Sequence, residues 1–99
     1  MKILLICAGG MSTSMLMKKL EKYAQEKQVP LEKIIARGVG DFMDICAEYD
    51  VILLGPQVSY QKQNIAEQTG KPVDVITPYD YAVGNAENIF RQVDKLLSK

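Results

Sequence analysis

Ile3-Leu4-Leu5-Ile6-Cys7-Ala8-Gly9-Gly10-Met11-Ser12-Thr13-Ser14 passes within a few residues from an unbroken apolar run to a loop of glycines and hydroxyls. Hydrophobicity that is continuous rather than alternating predicts a strand covered on both faces, as in parallel sheets. Val51-Ile52-Leu53-Leu54 repeats the pattern, so residues 51–55 read as a second strand of the same kind. Residues 33–39 and 72–76 complete a set of four; Arg37 and Gly38 interrupt the former, which predicts a sheet edge.

Between these runs the apolar spacing changes to that of helices. Leu16, Leu20, Tyr23 and Ala24 share one face of a helix over residues 12–27, and Pro30 bars its continuation. Asp41 can cap a short second helix in which Phe42, Ile45, Cys46 and Tyr49 repeat at helical spacing. A third helix falls somewhere in 58–69, ending at Gly70 before Pro72. In the last helix Val83, Ala86, Phe90, Val93 and Leu97 form one stripe, with Ile89 and Leu96 beside it. The order β-α-β-α-β-α-β-α predicts an α/β fold: a four-stranded parallel open sheet with helices on both faces, a flavodoxin/Rossmann-like three-layer sandwich. Ligands of such sheets bind beyond the carboxyl ends of the strands, where the strand order reverses. Residues 7–14, 55–57 and 77–81 are expected to meet there.

Composition narrows the function. The 99 residues suit one domain over 1–99. Twelve basic and twelve acidic residues give no net charge, so no global field attracts nucleic acid. No apolar stretch approaches transmembrane length, and Cys7 and Cys46 form neither a C-x-x-C pair nor a disulfide framework, which predicts a reducing cytoplasm. Histidine is absent altogether. That removes Cys-His and Ser-His nucleophile pairs, imidazole metal sites and any phosphohistidine borne by this chain; no metal or other cofactor is expected.

Cys7 ends its strand just before a helix begins. Gly9 and Gly10 allow successive N–H groups to point at one spot. Ser12, Thr13 and Ser14 add hydroxyls, and the helix N-terminus adds free N–H groups and the positive end of its dipole. Such a loop favours thiolate over thiol and binds an anionic phosphoryl group that the thiolate attacks. Cys46, on the apolar face of the second helix, reads as a core residue. Cysteine phosphatases need the arginine of a Cys-x5-Arg loop; here that position is Thr13, and the loop contains neither arginine nor acid. It suits a relay better than a hydrolase. A flavin or nucleotide binder is the alternative, since flavodoxin-like proteins hold a phosphate in this loop.

The loop Cys7-Ala8-Gly9-Gly10-Met11-Ser12-Thr13-Ser14, together with Leu53-Leu54-Gly55-Pro56-Gln57-Val58-Ser59-Tyr60, resembles the IIB component of the phosphoenolpyruvate-dependent sugar phosphotransferase system, lactose/cellobiose class, on the cellobiose/chitobiose side. The resemblance spans essentially the whole chain. It implies a phosphocysteine at Cys7, with phosphate received from a phosphohistidine of the IIA protein and passed to a sugar entering through the membrane IIC permease. The backbone of Ala8, Gly9, Gly10, Met11, Ser12, Thr13 and Ser14 carries over as phosphate cradle. Gly55, Pro56 and Gln57 would shape the site wall, and Tyr60 and Tyr81 would face the phosphoryl site or a partner. The implied location is the cytoplasm, against the permease, with IIA and IIC as separate polypeptides.

Overall fold

The two unbroken apolar runs form the centre of the sheet. The computed structural model describes residues 1–8, 10–40 and 42–98, without the side chains of residues 10–14. β1 (Lys2–Cys7), β2 (Lys33–Gly38), β3 (Val51–Leu54) and β4 (Val73–Val75) pair in parallel in the order β2-β1-β3-β4. β1 is flanked on both sides: Ile3 pairs with Ile34 and with Val51. β2 lies at an edge, as its interrupted pattern predicts.

Alternation sends successive side chains to opposite faces, and both faces are buried, which explains why residues 3–6 of β1 and all of β3 are apolar. Ile3, Leu5, Val51 and Leu53 face one layer, where Leu16, Leu20 and Ala24 of α1 (Gly10–Lys27) meet Ile89, Phe90 and Val93 near the C-terminus. Tyr23 stacks on Phe90 across that layer, with ring centroids 5.6 Å apart. Leu4, Ile6, Ile52 and Leu54 face the other layer and pack against Phe42, Cys46, Tyr49, Val58 and Ile65. Each face is sealed by its own apolar cluster, giving the expected three layers.

The helices differ from the sequence expectation in four places. α1 starts at Gly10 rather than Ser12, which shortens the loop after Cys7. The expected second helix is only a 3-10 turn at Cys46–Glu48, and Tyr49 returns to extended backbone (φ −110°, ψ 149°) to enter β3. Its apolar spacing is nevertheless obeyed, because Phe42, Cys46 and Tyr49 are all buried. Packing onto the sheet, rather than helical continuity, holds this segment; its cap candidate Asp41 lies outside the described residues. The third helix is a 3-10 helix, Pro56–Gln61, followed by α2 (Lys62–Thr69), which Gly70 ends in the left-handed conformation (φ +68°).

The last helix is two helices, α3 (Pro78–Val83) and α4 (Ala86–Leu97). Gly84 takes a left-handed φ of +66° and Asn85 caps α4 by accepting from the Asn88 N–H. The break puts Val83 out of phase with α4, and it stands 45% exposed while Ile89 is fully buried; Leu97, the last residue of α4, is 40% exposed. The packed stripe is Ala86, Ile89, Phe90 and Val93, with Leu96 alongside.

At the edge strand β4, Gln92 of α4 donates to the Val75 carbonyl at 2.7 Å, and Val75 N–H donates to the Asp74 carboxylate at 2.8 Å. Partial burial opposes the charged carboxylate, but the hydrogen bonds from Gln92 and Val75 and the Lys62 ammonium outweigh it, lowering the Asp74 pKa below its ordinary 3.8. A carboxyl with a depressed folded pKa stabilises above the unfolded value and loses that contribution as pH falls through the folded one. Asp74→Asn is therefore expected to make the acid limb of stability shallower below about pH 4. Thermal melts between pH 7 and pH 3 check this; an acid limb identical to that of the unsubstituted protein contradicts it.

Candidate functional site

The chain leaves β1, crosses to β2 on one side, and later returns as β3 on the other. The carboxyl ends of β1 and β3 therefore flank the point where the strand order reverses, the position at which open α/β sheets bind ligands. Cys7 is the last residue of β1. Its thiol is 2% exposed and lies 3.7 Å from the Arg37 carbonyl, which accepts from it. Its own carbonyl accepts from Val39 N–H at 3.0 Å, so the strand end is held on the β2 side.

α1 opens at Gly10, almost directly after Cys7, and runs 18 residues with no acidic side chain in its first turn. The first N–H groups of a helix lack intrahelical partners, and the dipole adds positive potential there. No carboxylate of this helix competes for them. Ala8 is exposed at the mouth of the loop. Gly9, and the side chains of Met11, Ser12, Thr13 and Ser14, all expected in the phosphate cradle, lie outside the described residues; the end of β1 and the backbone start of α1 are described.

The other two expected segments do reach this point. Gly55 N–H donates to the Ile6 carbonyl at 2.9 Å, one residue before Cys7. A Cβ on Gly55 would lie 3.1 Å from Gln57 Oε1, 3.5 Å from Tyr81 Cε2 and 3.7 Å from the Ile6 oxygen. Gly55, Gln57 and the Tyr81 ring thus converge beside the end of β1, and glycine keeps their approach close. Pro56 opens the 3-10 helix that leads away. Tyr60 is 74% exposed and is a surface residue. Cys46 is buried, donates its thiol to the Met43 carbonyl at 3.5 Å, and belongs to the second core cluster.

Sequence reading missed the surface around this site. Met15, Met43, Tyr60, Tyr79 and Val83 are exposed large hydrophobics, and each lies on a segment following the carboxyl end of a strand. Met15 sits one residue off the Leu16–Leu20 stripe, a displacement that in hindsight marks it as outward-facing. Exposed apolar side chains of this kind are what a protein partner can cover. A separate cleft of about 430 Å³, between the end of α1 and the start of β2, is lined by Ala24, Leu31 and Ile34 and contains no cysteine. Among the described residues no group of histidine, cysteine, aspartate or glutamate could hold a metal ion.

The family model of lactose/cellobiose-specific IIB subunits of the PTS system matches residues 2–92. The galactose-specific EIIB component of Lactococcus lactis subsp. cremoris is 36% identical over 104 residues, covering 97% of this chain and 95% of that protein. The lactose-specific EIICB component of Staphylococcus haemolyticus is 41% identical over 69 residues, covering 70% of this chain and 12% of that protein. The solution structure of a cellobiose-specific phosphotransferase IIB component from Borrelia burgdorferi superposes with a TM-score of 0.79 at 34% identity, covering 99% of this chain and 92% of that one.

Proposed function

Because this chain belongs to the lactose/cellobiose-specific IIB family of the sugar phosphotransferase system, whose work is phosphoryl transfer in sugar uptake, we propose that Cys7 is the residue that carries the phosphoryl group. The observation that supports it is the position of Cys7: the last residue of β1, at the strand-order reversal, with α1 opening at Gly10. In the first step the Cys7 thiolate attacks phosphorus on a phosphohistidine of the IIA protein. The S–P bond forms, the N–P bond breaks, and the histidine nitrogen keeps the electron pair. To engage the donor, the thiol leaves its contact with the Arg37 carbonyl and its proton passes to solvent or to the released histidine nitrogen. The N–H groups opening α1 receive the phosphoryl oxygens as charge redistributes.

In the second step a sugar hydroxyl attacks the same phosphorus. The O–P bond forms, the S–P bond breaks, and sulfur departs as thiolate while the hydroxyl proton passes to base or solvent. A β-glucoside such as cellobiose is the acceptor we expect, delivered by the membrane IIC permease. Among the described residues no helix is long and apolar enough to cross a membrane; contact with the membrane is assigned to IIC, at its cytoplasmic face. The S. haemolyticus EIICB component, by name, joins IIC and IIB in one component, which supports that adjacency. Met15, Met43, Tyr60, Tyr79 and Val83 are exposed apolar residues that such partners would cover.

A flavin-binding module can share this strand order, but it has no need of a cysteine at the reversal point. The test is intact mass after mixing with phosphorylated IIA from a cellobiose system, followed by peptide mapping. One phosphoryl group on Cys7 is expected; no gain, or a gain on Ser12, Thr13 or Ser14, overturns the assignment.

A further inference from the structure

Tyr81 reaches the site on a short helix, partly buried against the first core cluster. α3 spans six residues and buries none of them, and a helix of that length is marginal without outside support. Thr77 Oγ1 accepts from Asp80 N–H at 3.2 Å, and Asn88 Nδ2 of α4 donates to Asp80 Oδ1 at 3.2 Å. These fix the start of α3 against α4. Its other end is held from α1: Lys19 Nζ donates to the Val83 carbonyl at 3.2 Å.

Lys19 would read from sequence as part of a solvated basic face with Lys18 and Lys22. The structure gives it a path across Gly84 instead. A Cβ at position 84 would overlap Lys19 Cδ and lie 2.9 Å from its Nζ. Gly84 therefore serves two needs: the left-handed turn at φ +66°, and room for the lysine stem. Between α1 and α3 lies a pocket of about 160 Å³ lined by Met15, Leu16, Lys19, Tyr81, Ala82 and Gly84, and Tyr81 is partly buried against the core cluster that includes Leu16. The Lys19 bridge ties the two helices together at the edge of that pocket.

We propose that Lys19 is a positioning residue for phosphoryl transfer, latching α3 to α1 and so holding the Tyr81 ring against Gly55 beside the Cys7 strand end. The inference rests on the phosphoryl-carrier reading above. It has physical leverage because α1 is the helix that opens directly after Cys7. One lysine thus connects the helix proposed to receive the phosphoryl oxygens with the helix that brings in Tyr81.

The bond is exposed, so its loss should hardly change the melting temperature. Misplacement of a group at the site should instead appear in rate. Lys19→Met keeps the stem without the donor, and Lys19→Arg restores a donor. Single-turnover transfer from phosphorylated IIA is expected to slow about tenfold in Lys19→Met at saturating donor, with an unchanged half-saturation concentration and recovery in Lys19→Arg. In a Tyr81→Ala background, itself slowed, Lys19→Met should add nothing, because Lys19 acts through Tyr81. A wild-type rate in Lys19→Met, or independent multiplication of the two effects, overturns the proposal. If the unsubstituted protein takes up no phosphate on Cys7, the carrier reading itself fails; if it does and Lys19→Met matches it, only the latch fails.

Discussion

Cys7→Ser is expected to lower the rate of phosphate uptake from phosphorylated IIA by on the order of a thousandfold or more. Serine nearly preserves the shape, but its hydroxyl is a poor nucleophile unless a neighbouring base removes the proton. This chain has no histidine to do so, and the residues of the loop supply no carboxylate. Only nucleophilicity is removed; the backbone N–H groups of α1 remain. The fold should survive, because the Arg37 carbonyl beside the thiol can accept from a serine hydroxyl. A cost of no more than about 1–2 kcal/mol is expected from burying the more polar group. Stopped single-turnover transfer, read by intact mass, measures the first quantity and a thermal melt the second. Uptake at the unsubstituted rate by a folded Cys7→Ser protein would remove Cys7 from the mechanism.

The largest effect on stability is expected at the centre of the sheet. Leu53 lies in β3 between β1 and β4, pairs with Leu5 and Asp74, and is completely buried against the α1–α4 layer. Leu53→Ala removes the transfer free energy of the missing carbons and leaves a cavity that two central strands cannot collapse to fill. Such changes cost about 2–5 kcal/mol, against a total of roughly 5–15 kcal/mol for a domain of this kind. The melting temperature should fall by roughly 10–30 °C. Val83→Ala is the control: Val83 is 45% exposed, so the change should stay within about 0.5 kcal/mol. Urea and thermal unfolding of both variants check the contrast. A large loss in Val83→Ala would mean that the last helix is continuous and its stripe runs through position 83.

That contrast also shows where sequence periodicity succeeds and where it stops. The runs at β1 and β3 are unambiguous because a strand buried on both faces has no polar position to spare. Phe42, Cys46 and Tyr49 are correctly legible as buried, yet their spacing suggests a helix that the chain does not form. Periodicity reports which residues face the core, whereas the backbone that delivers them depends on the length available between β2 and β3. Val83 fails for a related reason. Its spacing with Ala86, Phe90 and Val93 assumes an unbroken helix, and Gly84 resets the phase between them, whereas Leu97 stays in phase and is exposed as the last residue of α4. The Gly84-Asn85 pair is itself a stop-and-cap signal, so this break was available in the sequence and was outvoted by the apolar count.

From the sequence alone followed the α/β order, the parallel sheet, the edge position of β2, and a cysteine closing the first strand before a glycine- and hydroxyl-rich helix start. All of these rest on neighbours in the chain: continuous hydrophobicity, turn residues, and what directly follows Cys7. Only the tertiary structure decided which distant segments meet there. The approach of Tyr81 to Gly55 and the bond from Lys19 to the Val83 carbonyl join elements far apart in sequence. No local pattern encodes such pairings, because they follow from strand order and from the angle at which each helix returns across the sheet. The proposed nucleophile was written in one stretch of chain; the segments that meet beside it were assembled by the fold.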